Sequence, residues 1–259
     1  MTRSEILLNA IRRFPSGKIF SYSELADTQL KHSIMVAEMN QLVKRGQIAR
    51  VMRGRFVALS GETENVSSRE IIEAICHYRN KICGYETGPS VWEKWGLVPV
   101  NKKRKEYYVA ITQMRPAQQH GDITIRFKRA KLDPAQYNHQ IMQFLDAMEA
   151  VNTIEGKIKT DFFDIMSKIF RSWNESTRNQ LANHAMAYRP VTRALVGALL
   201  QSEGYAAFSG RLAASLHPAT LYKIKADCSK LPNVAEWRVV CDKSPIANLR
   251  KTKTSKKTE

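Results

Sequence analysis

The amino-acid sequence predicts an α+β fold in three parts, followed by a tail. Three observations predict it: a helical apolar pattern that gives way to two short apolar runs around a glycine, two strand-like runs in the middle of the chain, and a return to helical periodicity from Asp133 onward. The three parts are expected to cover 1–61, 62–131 and 132–241, and the tail 242–259.

The first part has the element order helix, short strand, helix, helix and two-stranded hairpin. Apolar spacing predicts helices over 3–14 and 32–45, with Ser23 as the N-cap of a short helix between them and Gly46 closing the last one. The stretch "RGQIARVMRGRFVAL" then places two strand-like runs around Gly54. The apolar residues expected to be buried in the two longer helices are Ile6, Leu7, Ala10, Ile11, Phe14, Met35, Met39, Leu42 and Val43. This order of elements indicates a winged helix-turn-helix.

The second part is predicted to be a small α+β unit with a basic surface. Ser67 or Ser68 caps a helix that runs to about Asn80 and carries three isoleucines on one face. "KICGYETGPSVWEKWGLVPV" indicates an extended run, a glycine turn and a short helix. The strand-like runs "EYYVAIT" and "DITIRFKRA" follow, and a polar loop around Pro116 and Gly121 separates them.

The third part is predicted to be all-α. Ile141, Phe144, Leu145 and Met148 repeat with a helical period, and "DFFDIMSKIFRSW" and "RPVTRALVGALLQSEG" follow, the latter closed by Gly204. A turn-rich piece leads to "LPNVAEWRVV". The tail is rich in Lys, Ser and Thr, which predicts disorder.

The charge of the chain favours a polyanionic partner. The net charge is +17 at pH 7, and the basic residues are clustered rather than spread, which favours nucleic acid over a merely basic soluble protein. In a winged helix-turn-helix, the helix after the turn enters the major groove and the hairpin lies along the backbone or the minor groove. The predicted duplex-DNA contacts in this part are Lys31, His32, Ser33, Lys44 and Arg45 on the helix and Arg50, Arg53 and Arg55 on the hairpin. Ser33 either caps the helix or contacts a phosphate. Asn40, further along the same helix, is either another contact or points elsewhere.

A second basic cluster, residues 102–131, holds nine Lys or Arg against Glu106 and Asp122. Long basic side chains hold phosphates and aromatic rings stack on bases, so "KKRKEYY" favours a second nucleic-acid contact over a loop charged for solubility. The predicted contacts here are Lys102, Lys103, Arg104, Lys105, Arg126, Lys128 and Arg129.

The stretch "GYETGPSVWEKWG" allows two interpretations. A base-excision pocket needs aromatic rings to stack a flipped base and a carboxylate to help break the glycosidic bond, and Tyr85, Glu86 and Glu93 are the candidates. The alternative, which the spacing favours, is a small core in which Trp92 and Trp95 pack inward and Glu93 points outward.

Other chemistries find little support in the sequence. The four cysteines form no C-x-x-C pair, which predicts reduced thiols and no zinc site, and Asp161 and Asp164 have no third ligand beside them. The sequence contains no phosphate-binding loop, no H-E-x-x-H and no G-x-S-x-G, so we expect no cofactor. No apolar run approaches the roughly 18 to 20 residues of a membrane span, so a cytoplasmic protein is expected.

Several segments resemble the AbiE antitoxin family of type IV toxin–antitoxin systems, the AbiEi-like winged-helix transcriptional regulators. They are "LVKRGQIARVMRGRFVAL", "GYETGPSVWEKWGL", "DITIRFKRA", "RPVTRALVGALL" and "LYKIKADCSKLPNVAEW". The resemblance implies a winged helix that binds promoter DNA and represses its own operon. It also implies a C-terminal domain connected with neutralising a nucleotidyltransferase-like toxin, and DNA contacts at Lys44, Arg45, Arg50, Arg53 and Arg55. The sequence departs from the family at "PSVWEKW" and in its basic 102–131 segment.

Together these observations predict a DNA-binding regulator, antitoxin-like, of a bacterial defence system. The alternative is a DNA-processing enzyme of phage defence, a DNA glycosylase that excises a modified base. A further alternative is a non-specific nucleic-acid-binding protein.

Overall fold

The computed structural model describes residues 2–15, 18–58, 67–78, 81–120, 122–154 and 161–241. The chain divides into two compact units. The first unit is Met1–Glu86 with Arg104–Arg129, and the second is Thr87–Lys103 with Ala130–Glu259. Helices and strands are mixed along the chain, which confirms the α+β prediction at that level. The predicted tail, 242–259, lies outside the described residues.

The N-terminal half of the first unit combines helices with a small antiparallel sheet. Its elements are α1 (Arg3–Ile11), β1 (Ile19–Ser21), a 3₁₀ helix (Tyr22–Thr28), α2 (His32–Lys44), β2 (Ile48–Met52) and β3 (Arg55–Ala58). The sheet has the order β1-β3-β2, so β2 and β3 form a hairpin with β1 paired to the outside of β3. We refer to β2, β3 and the turn between them as the N-terminal hairpin.

The core of this half confirms the helical apolar pattern for five of the nine residues expected to be buried, whereas Ile6, Ala10, Phe14 and Val43 are only half-buried. The residues of α1 and α2 that it buries are Leu7, Ile11, Met35, Met39 and Leu42. Gly46 follows α2 with a left-handed φ of 68°, a conformation that costs glycine little. Ser21, not the predicted Ser23, is the N-cap of the 3₁₀ helix, because Glu24 stands three residues after Ser21 and accepts its N–H at 2.9 Å.

The second half of the first unit is one helix packed on a four-stranded sheet. Its elements are α3 (Ser68–Cys76), β4 (His77–Tyr78), β5 (Lys81–Ile82), β6 (Gly84–Thr87), β7 (Glu106–Ile111), β8 (Gln118–His120) and β9 (Ile123–Arg129). The sheet has the order β6-β7-β9-β8, with β7 parallel and β8 antiparallel to β9. One face of β7 and β9 packs against the three isoleucines of α3, as their alternation requires.

Three details of this half were tested by the structure. Ser67 caps α3 in a reciprocal pair with Glu70, which confirms one of the two predicted caps. The prediction that this helix runs to about Asn80 is wrong, because His77 and Tyr78 form β4 and pair with β5. Asn80 itself lies outside the described residues. The predicted loop between the strand-like runs contains β8, whose residues lack the apolar alternation of a strand; Gly121 lies outside the described residues.

The second unit is mostly helical. Its elements are α4 (Pro89–Lys94), α5 (His139–Glu149), α6 (Phe162–Ser172), α7 (Glu175–Ala185), α8 (Pro190–Ser202), a 3₁₀ turn (Ala206–Phe208), α9 (Gly210–Ala214), β10 (Tyr222–Ile224), a second 3₁₀ turn (Pro232–Ala235) and β11 (Val239–Cys241). The all-α prediction is wrong in one respect: β10 and β11 form a parallel pair of three residues each. Strands this short carry no alternation long enough to recognise.

Helix α8 lies at the centre of the second unit. It buries every residue from Ala194 to Leu200. A Cβ added at Gly197 would lie 2.1 Å from Cζ3 of Trp237, so only glycine leaves room for the indole against the helix. Trp237 is 5% exposed and donates its Nε1–H to Oε1 of Gln201 at 2.7 Å. The segment after β10 is therefore anchored on α8.

Two of the four cysteines are joined. Cys228 and Cys241 form a disulfide with their Cα atoms 6.1 Å apart, whereas Cys76 and Cys83 are free. The prediction of reduced thiols is wrong for this pair. The parallel pairing of β10 with β11 brings the two residues together, and their spacing of 13 residues does not show this.

Within the described ranges, no helix combines the length and the apolar character that crossing a membrane requires. In the same ranges, His, Cys, Asp and Glu side chains form no group of three that could hold a metal ion.

Candidate nucleic-acid interface

The start of α2 presents exposed polar side chains. Lys31 is the N-cap residue without a side-chain cap bond, and Lys31, His32 and Ser33 are all exposed. Ser33 is the second residue of the helix, so the suggestion that it caps α2 is wrong. At the end of α2, Lys44 and Arg45 are also exposed. Met39, on the other side of the helix, is buried in the core. The helix thus buries one side and offers cations at both ends.

Tyr22 connects the start of α2 to the N-terminal hairpin. Its ring meets the His32 ring edge-on, with centroids 5.2 Å apart, and the Phe56 ring of β3 at 5.3 Å. A Cβ built on Gly54, in the hairpin turn, would lie 3.8 Å from Cε2 of the same tyrosine. Burial raises the pKa of Tyr22, against the opposing effect of the Arg50 charge. The hairpin turn and the first turn of α2 therefore lie close together, with the Tyr22 ring between them.

The three hairpin arginines have different environments. Arg53 is exposed in the turn. Arg50 is exposed but donates to Oδ1 of Asn40, and its guanidinium lies 5.4 Å from the centre of the Phe56 ring. Asn40 thus points to the hairpin, as the sequence interpretation allowed.

Arg55 is held by the fold of the first unit. Its side chain is 16% exposed, donates to the His77 carbonyl at 2.8 Å and lies 3.9 Å from the Glu24 carboxylate. Burial disfavours the Glu24 anion, but bonds from Lys18 and Ser21 outweigh it and hold the pKa of that carboxyl below its ordinary value. Arg55 therefore links β3 to the C-terminal end of α3 and has little surface left for a ligand.

The basic 102–131 segment is divided between the two units. Lys102 and Lys103 lie in the second unit and are exposed, whereas Arg104 and the rest up to Arg129 lie in the first. In the first unit, Lys105 is 3.6 Å from Asp122, with both side chains more than two-thirds exposed, so this ion pair contributes little to stability.

The sheet face turned away from α3 carries an ordered polar cluster. Tyr108 donates its hydroxyl to Oε1 of Glu106 at 2.6 Å, and Arg126, opposite Tyr108 in register, pairs with the same carboxylate. The hydrogen bond between Tyr108 and Glu106 lowers the pKa of Glu106 and raises the pKa of Tyr108. The Nζ of Lys128 lies 4.9 Å from the centre of the Tyr108 ring. One aromatic ring is thus flanked by two cations of the predicted set.

The residues considered for base excision are buried in, or bonded to, the fold around them. Tyr85 is 2% exposed in β6, and Glu86 acts electrostatically on the buried Cys76 thiol, whose pKa burial raises to about 12. Glu93 accepts the Asn101 N–H at 2.7 Å, and Trp92 belongs to the apolar core of the second unit. Tyr85 and Glu86 belong to the first unit and Glu93 to the second. This packing matches the small-core interpretation.

Sequence reasoning missed one residue of the candidate interface, Tyr22, and one contact in the sheet. Tyr22 carried no signal beyond its place before a short helix, and its ring contacts with His32 and Phe56 depend on the tertiary fold. The pairing of Lys128 with Tyr108 was hidden as well, because it follows from the parallel register of β7 and β9.

Comparison with protein-family models and with curated proteins gave no match. Among solved structures, the chain is similar to the crystal structure of the RV2827C protein from Mycobacterium tuberculosis. The TM-score is 0.51 at 12% sequence identity, and the similarity covers 96% of this chain and 94% of that chain. At this identity the likeness concerns the fold alone.

Proposed function

We propose that this protein is a DNA-binding regulator that holds duplex DNA through its N-terminal residues 3–58, folded as a winged helix-turn-helix. The observation that carries the proposal is the Tyr22 contact. It places the exposed start of α2 beside the hairpin turn that bears Arg53, so one ligand can meet both. In this arrangement α2 is the recognition helix and the N-terminal hairpin is the wing.

Each basic residue has a role that follows from its surroundings. Lys31, His32 and Ser33, at the first turn of α2, face base edges or phosphates in the major groove. Arg53 contacts the backbone or the minor groove. Arg50 contributes its charge from a position fixed by Asn40, and Arg55 supports the hairpin from inside rather than binding DNA directly.

Binding to the DNA upstream of the gene tests this proposal. Fluorescence anisotropy with a labelled duplex from that region should give saturable binding that weakens as salt rises. Arg53→Ala should weaken it by about 3- to 10-fold, the loss expected for one exposed phosphate contact. Arg211→Ala is the matched control, because it removes the same charge from an exposed helical position in the second unit.

A specific site distinguishes a regulator from a general nucleic-acid binder. Footprinting should protect a compact segment upstream of the gene, and unlabelled competitor of random sequence should displace the protein from it poorly. The absence of a protected segment, with equal competition by random DNA, would refute the regulator and favour the non-specific alternative.

We further propose, on the resemblance over residues 3–240, that the second unit is antitoxin-like and binds a nucleotidyltransferase-like toxin of a bacterial defence system. The test is genetic. A nucleotidyltransferase gene next to this one should arrest growth when expressed alone and should be harmless when co-expressed with residues 1–259. Growth arrest that persists despite soluble co-expression would refute this part and leave DNA binding intact.

A further inference from the structure

We infer that the sheet face of the first unit turned away from α3 is a binding platform for single-stranded nucleic acid, separate from the α2–hairpin interface. We call it the open sheet face and define it by Glu106, Tyr108, Thr124, Arg126 and Lys128. These residues occupy every second position of β7 and β9 and are paired in register, so their side chains leave the sheet on the same side. Ala110, the next residue of β7 on that side, is buried.

The composition of this face departs from that of an ordinary solvated sheet surface. On this side the strands carry a half-buried tyrosine between two exposed cations, whereas the opposite side carries the apolar core and ends in the exposed Arg129. The open sheet face carries two cations, Arg126 and Lys128, against one acid, Glu106. Glu106 already accepts bonds from Tyr108 and Arg126. The charge left over is positive, which complements a phosphate backbone.

The geometry suits stacking and backbone contact together. Glu106 fixes the Tyr108 ring through its hydroxyl and fixes the Arg126 guanidinium beside it, so a base that stacks on the ring finds it already oriented. Lys128 lies over the ring on a long, exposed side chain, and a base can displace the ammonium toward a neighbouring phosphate. Thr124 and Gln119, joined at 2.7 Å, add hydrogen-bonding groups at the β8 edge.

These features favour a single strand over a duplex. A stacked base must be unpaired, and stacking on an aromatic ring is the feature shared by single-strand binders. The buried duplex base offers only its groove edges, which the Tyr108 ring cannot stack against. The source of the strand, RNA or unwound DNA, is left to the experiment, because base and phosphate are common to both.

The full-length protein with a fluorescein-labelled dT12 or U12 probe tests the inference. Tyr108→Ala should weaken binding of the probe by about 5- to 100-fold, the range for one stacked base. Tyr108→Phe keeps the stacking ring but loses the hydroxyl bond to Glu106, so it should weaken binding less than Tyr108→Ala does. Tyr137→Ala, which changes an exposed tyrosine of the second unit, should change nothing. Comparing U12 with dU12, which differ only in the sugar, identifies the preferred sugar.

A second measurement locates the contact without a variant that could disturb folding. A probe with 5-iodouracil, irradiated in the complex, should cross-link to the peptide that contains Tyr108. A cross-link confined to other peptides, or equal affinity for Tyr108→Ala and the unmodified protein, would overturn the inference. Failure of both probes to bind would also overturn it and would leave the face to an acidic protein partner.

The outcome is independent of the proposed duplex binding. Arg53→Ala should weaken the duplex probe and leave dT12 within about 2-fold, whereas Tyr108→Ala should do the reverse. Loss of single-strand binding in Arg53→Ala would assign it to the α2–hairpin interface and overturn the open sheet face.

Discussion

Replacing Gly197 with alanine should destabilise the second unit, although alanine is the better helix former. The added Cβ would lie 2.1 Å from Cζ3 and 2.2 Å from Cη2 of Trp237, far inside van der Waals contact. The indole is a rigid ring and is 5% exposed, so it cannot absorb the clash by turning a flexible end aside. Either α8 moves, with buried residues all around it, or the indole leaves its position.

The size of the effect follows from these two routes. Overpacking a core costs about 1 to 3 kcal/mol, and losing the burial of a tryptophan costs about 3 to 5 kcal/mol. Alanine regains about 1 kcal/mol of helix propensity over glycine. Because the clash is with the ring itself, we expect the indole to be displaced and the free energy of unfolding to fall by about 2 to 4 kcal/mol.

Tryptophan fluorescence during urea denaturation measures this change directly. All four tryptophans of the chain belong to the second unit, so their emission follows the unfolding of that unit. Gly210→Ala is the control, because a Cβ there meets nothing within 4 Å and should leave stability unchanged or slightly higher.

The sign of the effect should reverse in a second background. With Trp237→Ala already in place, Gly197→Ala no longer clashes and should stabilise by up to about 1 kcal/mol. The reasoning is refuted if Gly197→Ala is as stable as the unmodified protein while Trp237 is present.

Three further predictions concern the stability of the two units. Arg55→Ala should lower the melting temperature of the first unit, because it removes a hydrogen bond of 2.8 Å from a charged group to the His77 carbonyl, worth about 1.5 to 3 kcal/mol. An unchanged melting temperature by circular dichroism would contradict this structural role of Arg55. Burial lowers the pKa of His184, so the unfolded chain takes up the proton first as pH falls through its ordinary pKa; stability measured by urea denaturation should drop between pH 7.5 and 5.5, and less so in His184→Gln. Reducing the Cys228–Cys241 disulfide, which spans 13 residues, should cost about 3 kcal/mol of second-unit stability, measured with and without reductant.

Local patterns predicted the local structure well. The stripe of Met35, Met39 and Leu42 and the Ser67 cap were readable because each depends on spacing within one helix. Helix α7 was missed, since its buried side includes Thr177 and small alanines instead of a large apolar stripe. Helix α7 packs against α8, a contact that the sequence does not display.

Long-range pairing was the part that spacing could not supply. The β10–β11 pair joins segments 17 residues apart in register, as Tyr222 and Val239 show, and the disulfide depends on it. For the candidate interface, the basic residues were identified from charge alone, but their roles were not. A cluster of basic residues in the sequence shows only that cations are present. The tertiary contacts of Arg55 show that the guanidinium of this residue is already bonded within the first unit.

This distinction bears on how strongly DNA binding should respond to salt. Counting every basic residue of α2 and the N-terminal hairpin overstates the phosphate contacts, because Arg55 is 16% exposed and bonded inside the unit. The exposed cations of α2, its two flanking residues and the N-terminal hairpin are Lys31, Lys44, Arg45, Arg50 and Arg53. At about 0.9 per phosphate, five contacts give a slope of log affinity against log salt of about −4.5 for duplex DNA. We expect a slope near that value, with its magnitude reduced by about 0.9 in Arg53→Ala and unchanged in a folded Arg55→Ala protein. This result would show that Arg53 contacts DNA and that Arg55 has only a structural role.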